Sequence, residues 1–438
     1  MRPSAGIPAI VIGGGIAGLT AARALQERGR NYVLLERCPT LGGLTRTVEV
    51  GEFCFDYTGH FLHLSRHSTP SDIPFAGLDN QNWIQVSRRS CCFVEGKFIT
   101  APIQYNLGEL PASILAECVE SYEKRPTNGY QQNASFRDYI VTGFGERLAD
   151  LFLIPQNEKT MAISLDRLSN SAVRRFFPPP DEALVRKGIC SASKDTLGYN
   201  AKFWYPKAGG IGHLVHGLSK GLKNCKVNQN VATVHLNAKT LVTTTGETHC
   251  WSALFSSMPL KKLCEITDDE ELRAAASQLS HSSTISFNIG LRGSLPAEFQ
   301  GVHWIYVPDR EIPFYRVGFY SNIGNGCCAP GYSSLYVEVG LSPEDADRVD
   351  LVNNLQPDVL CWLGKLGWIR SRDVVCVVTH IMRYAYVHHT NNKERLVSLI
   401  LERLRSHDIV PIGRYGLWDY TSMEDSMESA RTAVLGVA

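Results

Sequence analysis

Three glycines and one carboxylate near the start of the chain are the first residues whose types and spacing could do chemistry. The apolar segment Ala9–Ile12 runs directly into Gly13, Gly15 and Gly18, which predicts a strand, a tight turn and a helix. In such a unit the first glycine permits the turn, the second lets the backbone approach a pyrophosphate, and the third lets the helix pack on the strand. Glu36 follows Gly15 by about 20 residues. At this spacing in a dinucleotide-binding unit, an acidic side chain accepts a hydrogen bond from a ribose hydroxyl. Because a carboxylate repels a ribose 2′-phosphate, we predict a pocket for FAD or NAD rather than NADP, with a purely structural turn as the alternative.

A second glycine pair comes soon after this carboxylate. Arg37 is followed by Gly42, Gly43, Leu44 and Arg46, so glycines and basic side chains are placed to pass along the same pyrophosphate. The stretch resembles the GG motif of the flavin amine oxidase superfamily. That resemblance favours FAD over NAD as the cofactor.

A third motif is the loop Asp56-Tyr57-Thr58-Gly59-His60. It is similar to the D-x-G-G-H loop that faces the flavin ring in the same superfamily. The likeness implies that Gly59 and His60 lie against the flavin. An ordinary loop histidine is the alternative for His60.

Apolar periodicity predicts the elements that hold these motifs. Helical spacing in residues 107–168 predicts a helical insertion, and the proline run at 178–180 ends it. A helix is expected after Gly209 and as far as Leu222, and alternating apolar residues in 284–339 predict an antiparallel sheet. We therefore predict an α/β fold in which a Rossmann-type FAD-binding domain carries a helical insertion and an antiparallel-sheet substrate domain.

This interleaving divides the chain into five expected pieces. They are residues 1–70 as the first piece of the FAD-binding domain, 71–195 as a mostly helical insertion on the substrate side, 196–270 as the second piece of the FAD-binding domain, 271–380 as the antiparallel sheet substrate domain, and 381–438 as the third piece of the FAD-binding domain.

Composition narrows the class of protein. The 438 residues are 44% hydrophobic and carry a net charge of +1, with 44 basic and 43 acidic side chains, so neither nucleic acid nor a membrane is expected as a partner. The 13 cysteines are scattered without a CxxC, which predicts free thiols in a reducing compartment and no metal site. With no signal peptide and no apolar run of about 20 residues, a cytoplasmic enzyme is expected.

Further motifs carry a resemblance to a known family. They are residues 157–159 (Asn-Glu-Lys), 199–210, 304–308, 313–316 and 413–420. Together with the glycine motifs they are similar to UDP-galactopyranose mutase, particularly its eukaryotic-type branch, within the superfamily of protoporphyrinogen oxidase and the flavin amine oxidases. The resemblance covers most of the chain.

The resemblance implies which residues bind the substrate. Arg175 and Arg316 would hold the diphosphate of a nucleotide sugar, since a guanidinium bonds phosphate oxygens bidentately and stays charged. The other residues implied on the substrate side are His60, Asn200, Tyr306, Tyr386 and Tyr420. The alternative is that Arg316 lies on the sheet surface and that the tyrosines belong to the hydrophobic core.

The resemblance also implies which later residues bind the cofactor. Those expected beside the flavin, in addition to the glycine motifs, are Gly59, His60, Val231, Gly413, Arg414, Tyr420 and Met423. Arg414 would close over the flavin, while the helix starting near Met423 would direct its positive N-terminus at the N1–C2 edge.

The chain departs from the family at the positions that seat uracil. Ala101 and Ile103 stand where the mutases carry aromatic residues, Met161 replaces a tryptophan, and Thr58 replaces the first glycine of the flavin-facing loop. Because a stacking partner contributes on the order of 1 kcal/mol beyond its area, these losses weaken the case for uridine.

Two reaction classes therefore remain open. In the mutase reaction, N5 of reduced flavin attacks the anomeric carbon of a nucleotide sugar and interconverts its pyranose and furanose forms. The alternative is an FAD-dependent oxidoreductase of the amine oxidase or protoporphyrinogen oxidase type, which takes hydride from a small molecule. NAD(P)H is a candidate reductant. The arginines and tyrosines favour the mutase, and the missing aromatic residues favour the oxidoreductase.

Overall fold

The computed structural model describes residues 6–73, 75–126, 134–170, 180–190, 201–324 and 326–437. The strands are β1 (Ala9–Ile12), β2 (Tyr32–Leu35), β3 (Thr47–Val50), β4 (Phe53–Asp56), β5 (Trp83–Ser87), β6 (Ser90–Val94), β7 (Lys97–Thr100), β8 (Lys202–Pro206), β9 (Cys225–Lys226), β10 (Val231–His235), β11 (Thr240–Thr243), β12 (Thr248–Cys250), β13 (Leu254–Ser256), β14 (His281–Arg292), β15 (Trp304–Tyr306), β16 (Arg316–Gly318), β17 (Tyr332–Leu341), β18 (Val374–Val387) and β19 (Ile409–Pro411). The helices are α1 (Ile16–Glu27), α2 (Ala112–Glu123), α3 (Phe136–Phe144), α4 (Glu146–Leu148), α5 (Ile154–Met161), α6 (Glu182–Cys190), α7 (Gly212–Ser219), α8 (Leu260–Glu265), α9 (Glu270–Ser277), α10 (Pro343–Ala346), α11 (Val349–Lys365), α12 (Lys393–Arg405), α13 (Gly413–Gly416) and α14 (Met423–Gly436).

A parallel sheet of five strands holds the first glycine motif. Its order is β19-β13-β1-β2-β9, so distant parts of the chain contribute neighbouring strands. Every residue of β1 is buried, as expected for a parallel strand covered on both faces. The carboxyl end of β1 therefore meets the ends of β2 and β13 at one edge, where the loops that follow these strands lie side by side.

A second sheet of seven strands has one apolar and one polar face. Its order is β18-β14-β17-β16-β15-β6-β7, and β14 pairs with both β17 and β18 in antiparallel register. Along β14, Ile285, Phe287 and Ile289 join an apolar cluster with residues of α11, while Ser286 and Asn288 point to the opposite face. The polar face is where the candidate site forms.

Two element boundaries differ from the sequence-based expectation. The helix α7 ends at Ser219 rather than Leu222, because the chain turns at Gly221, whose φ is 73°. The expected division at residue 380 falls inside β18, which stays continuous because it pairs with β14 along most of its length.

The helix α5 fixes the loop that leads into β16. Lys159 donates from Nζ to the carbonyl oxygens of Val307 (2.7 Å), Asp309 (2.6 Å) and Phe314 (2.6 Å). Gln156 adds a bond from Nε2 to the Tyr315 carbonyl oxygen at 3.1 Å. The motif at 157–159 thus holds the backbone immediately before Arg316.

In the described ranges, no helix combines the length and the apolar character that crossing a membrane would require.

Candidate functional site

The glycine turn after β1 is closed by Glu36. Gly14 donates from its N–H to Oε2 of Glu36 at 2.5 Å, and Cys38 donates to Oε1 at 2.8 Å. A Cβ added at Gly18 would overlap the carbonyl oxygen of Gly13, so the helix meets the turn closely enough to exclude a side chain. This is the packing that the spacing of the glycines predicted.

The second glycine pair lies directly on the first turn. Gly42 donates to the carbonyl oxygen of Gly14 at 2.7 Å, and a Cβ on Gly43 would lie 3.1 Å from the Cα of Gly15. Leu44 follows in the same short turn and is half-buried, whereas the Arg37 side chain is exposed. Two glycine backbones therefore face each other across one narrow space.

The segment before β10 is bonded to the backbone of the same residue, Glu36. Gln229 donates from its N–H to the Glu36 carbonyl oxygen at 2.8 Å, and Val231 is the buried first residue of β10 two positions later. Val231 therefore lies on the Glu36 side of the turn.

The carboxy-terminal motif packs on the first helix. A Cβ on Gly413 would lie 2.6 Å from that of Ala17, and the Gly413 N–H donates to Ser429 Oγ in α14 at 3.1 Å. Met423 begins α14, where Ser422 accepts a hydrogen bond from the Asp425 N–H. The two ends of the chain thus meet at the glycine turn.

Asp56 anchors the loop that carries His60. Its Oδ1 accepts hydrogen bonds from Thr47 Oγ1 (2.5 Å) and the Ile211 N–H (3.0 Å), and its Oδ2 accepts one from Tyr205 Oη (2.6 Å). Burial raises the pKa of Asp56 to about 6 despite these bonds. The acid of the loop motif is therefore a structural anchor for the turn that follows it.

A row of side chains crosses the polar face of the seven-stranded sheet. Successive register partners are His380 on β18, Ser286 on β14, Glu338 on β17, Arg316 on β16 and Tyr306 on β15. Strand register alone brings these residues side by side, although they span residues 286 to 380 of the chain. Arg316 and Tyr306, both expected on the substrate side, are thus direct neighbours.

Arg316 is held by a buried carboxylate. Its Nε donates to Glu338 Oε2 at 2.6 Å and its Nη2 to Oε1 at 2.7 Å, with side-chain exposures of 18% for Arg316 and 1% for Glu338. Burial alone would raise the pKa of Glu338, but the Arg316 charge and the hydrogen bonds from Arg316 and Thr58 hold it below its ordinary value. The pair is therefore ionised, and Glu338 neutralises Arg316.

Arg414 lies close to two of the predicted tyrosines. Its guanidinium carbon lies 4.3 Å from the ring centre of Tyr420 and 5.6 Å from that of Tyr386, whose own centres are 5.6 Å apart. Arg414 also donates from Nη2 to the Ala385 carbonyl oxygen at 2.9 Å. Tyr386 in turn lies within electrostatic reach of Arg316, and burial first, then Tyr420, raises its pKa.

His60 lies between these groups. Glu338, Arg414 and Arg316 are its charged neighbours, and burial is the main reason that the pKa of His60 falls to about 4. Its Nδ1 is buried and has no hydrogen-bond partner among the described residues. His60 is therefore a neutral imidazole, and one of its ring nitrogens makes no hydrogen bond to the described part of the chain.

The structure thus brings together His60, Tyr306, Arg316, Tyr386, Arg414 and Tyr420. Arg175 and Asn200 lie outside the described residues. Sequence reasoning missed Glu338 and Tyr336, whose hydroxyl is buried without a partner in the described part of the chain. The sequence did hold an indication of both residues. Tyr336 and Glu338 alternate with apolar residues along β17, which is buried on both faces, so two polar side chains there needed partners.

The buried histidines predict an acid-sensitive fold. Burial lowers the pKa to about 4 for His60, His63, His281, His303, His380, His388 and His389. The unfolded chain takes up these protons near pH 6.5 and the folded chain only near 4, so we expect the free energy of unfolding to fall by several kcal/mol as pH drops through this window. Urea unfolding at pH 7.5, 6 and 5 measures this change in the free energy of unfolding. Equal urea midpoints at all three pH values would contradict the prediction.

Comparisons with known proteins agree with this geometry. Residues 11–71 match the model of the NAD(P)-binding Rossmann-like domain. The chain is similar to a crystal structure of reduced UDP-galactopyranose mutase at 26% identity, with a TM-score of 0.91 over 99% of this chain and 96% of that one. It shares the fold of a candidate protoporphyrinogen oxidase from Exiguobacterium sp. 255-15 (16% identity, TM-score 0.74, 99% of each chain). It also shares the fold of putrescine oxidase (13% identity, TM-score 0.65, 98% of each chain).

These matches confirm the predicted α/β fold with its Rossmann-type domain, and they confirm the resemblance that the sequence motifs indicated. The chain is an enzyme of the flavoprotein type, similar to UDP-galactopyranose mutase and sharing its fold with protoporphyrinogen oxidase-like proteins and amine oxidases.

Proposed function

We propose that this protein is an FAD-dependent enzyme that interconverts the pyranose and furanose forms of a nucleotide sugar. The observation that carries the proposal is that His60 and Arg414 lie close to Arg316 and Tyr386 of the seven-stranded sheet. The similarity to reduced UDP-galactopyranose mutase over nearly the whole chain supports the same reaction class.

The residues of the site fit a flavin dinucleotide. The N-terminus of α1, which has no side-chain cap, presents backbone N–H groups for a pyrophosphate, and Glu36 lies where a ribose hydroxyl would be bound. Two buried polar atoms without a described partner, His60 Nδ1 and Tyr336 Oη, suit a polar ring system lying against them. A reduced flavin bound here supplies a nucleophile for the anomeric carbon of a sugar.

The chain's own residues would position the substrate. Arg316 uses Nε and Nη2 on Glu338, so its remaining nitrogen, together with the Tyr306 and Tyr386 hydroxyls, would hold a diphosphate oxygen. Arg175 is proposed as the second diphosphate ligand and Asn200 as a further substrate contact. Holding the leaving diphosphate in place is a large part of such catalysis, since it removes the entropic cost of orientation.

An oxidoreductase acting on a small neutral or cationic molecule is the second candidate. It is favoured by the Arg316–Glu338 pair, which leaves this part of the site without a net positive charge. Ala101 and Ile103 also lie in an apolar cluster with the insertion helices, so they provide no stacking surface for a base. NAD(P)H is proposed as the reductant in the mutase case.

Turnover of a nucleotide sugar by the reduced protein separates the two candidates. We expect protein purified with FAD and reduced with dithionite to convert UDP-galactofuranose to the pyranose form, and Arg316→Ala to lose about 100-fold or more in kcat/KM. Chromatography of the two sugar nucleotides measures the conversion. Arg348→Ala is the control, because Arg348 is an exposed arginine at the N-cap of α11 and should be replaced without loss of activity. Oxygen uptake with amines, without conversion of any sugar nucleotide, would instead establish the oxidoreductase.

A further inference from the structure

The loop that carries His60 lies along the row of residues on the polar sheet face. Tyr57 stacks on His380 with ring centres 4.0 Å apart, and Thr58 donates from Oγ1 to Glu338 Oε1. A Cβ on Gly59 would overlap the Tyr336 hydroxyl. Three consecutive loop residues therefore contact three different members of the sheet, immediately before His60.

Thr58 makes the central contact of these three. Its exposed fraction is 6%, and it bonds the carboxylate whose two oxygens already accept from Arg316. Glu338 Oε1 therefore accepts one hydrogen bond from Thr58 and one from Arg316. A glycine at this position, as in the mutases that the chain resembles, could not make the bond.

We propose that Thr58 is a positioning residue, which fastens the His60 loop to the Glu338–Arg316 pair and thereby fixes both the imidazole and the guanidinium. This inference rests on the proposed function only in taking the His60 loop as cofactor-facing and Arg316 as anion-binding. The hydroxyl stabilises the ionised carboxylate and restricts its rotation about the Cγ–Cδ bond. The Arg316 fork then keeps one orientation.

Serine and valine at this position separate hydrogen bonding from packing. Thr58→Ser keeps the hydroxyl and loses the methyl group, whereas Thr58→Val keeps the shape and loses the donor. If Thr58 acts through its hydroxyl, Val is the harmful change; if it only fills space, Ser is the harmful change. Thr58→Ala replaces Val should the valine protein fail to fold.

Two readouts on the FAD-loaded protein test the proposal. The visible absorption spectrum of the bound flavin reports on the His60 loop, and calorimetric titration with inorganic diphosphate reports on Arg316. We expect Thr58→Val to shift the spectrum and weaken diphosphate binding by about tenfold, the effect of losing a hydrogen bond to a charged group. Thr58→Ser is expected to match the wild type in both readouts.

The outcomes test the positioning role of Thr58 and the anion site of the proposed function separately. A wild-type spectrum and affinity in Thr58→Val, or equal losses in Thr58→Ser and Thr58→Val, would overturn the positioning role. If the wild-type protein binds FAD but no diphosphate, the anion site of the proposed function fails, while the flavin spectrum still decides the role of Thr58.

Discussion

We expect Gly18→Ala to be purified with much less bound flavin than the wild type and to bind added FAD about 100-fold more weakly. The added Cβ would overlap the Gly13 carbonyl oxygen, which is backbone and cannot move without opening the turn. Overpacking of this kind costs about 3 kcal/mol, which corresponds to about 100-fold in cofactor affinity. Fluorescence titration with FAD measures the loss.

A matched helical glycine separates the clash from a general effect of substitution. Gly436 is the last residue of α14, and a Cβ there meets no atom within 4 Å. Gly436→Ala is therefore expected to bind FAD as the wild type does. Retention of tightly bound FAD by Gly18→Ala would show that the turn after β1 does not hold the dinucleotide.

The glycine turn could be predicted from the sequence because its causes are local. The close contact between Gly13 and Gly18 and the bond from Gly14 to Glu36 arise within a single strand–helix–strand unit. Glycine is also the residue type that such contacts select, since any side chain would collide. The spacing of these residues was therefore sufficient to predict the turn.

The partner of Arg316 could not be predicted in the same way. Glu338 follows it by more than 20 residues and meets it only because β16 and β17 pair in one register. A shift of one residue would turn Glu338 to the apolar face, so the ion pair depends on the fold of the whole sheet. Tyr386 on β18 meets Arg414 through a separate long-range contact, whereas Tyr420 lies only six residues after Arg414, and only the resemblance to a known family connected the three.

Glu338→Leu is expected to produce the largest loss of stability among single changes on the sheet face. The substitution leaves the Arg316 guanidinium largely buried without its counter-charge, and breaking a buried pair in this way costs about 3–5 kcal/mol. The Thr58 hydroxyl loses its acceptor at the same time. Equilibrium urea unfolding at pH 7.5 measures the change in unfolding free energy.

A double variant tests whether the unpaired charge is the cause. Arg316→Met combined with Glu338→Leu removes both charges, so we expect it to recover most of the stability that Glu338→Leu loses, because neither group remains uncompensated. The exposed pair of Arg348 and Asp350 supplies the control, and Asp350→Asn should leave the unfolding midpoint unchanged. Equal destabilisation in the single and double variants would mean that packing at β17, rather than the ion pair, accounts for the loss. If the double variant folds as stably as the wild type, we still expect it to lose diphosphate binding, because anion recognition requires the Arg316 guanidinium whereas stability requires only that no buried charge is left unpaired.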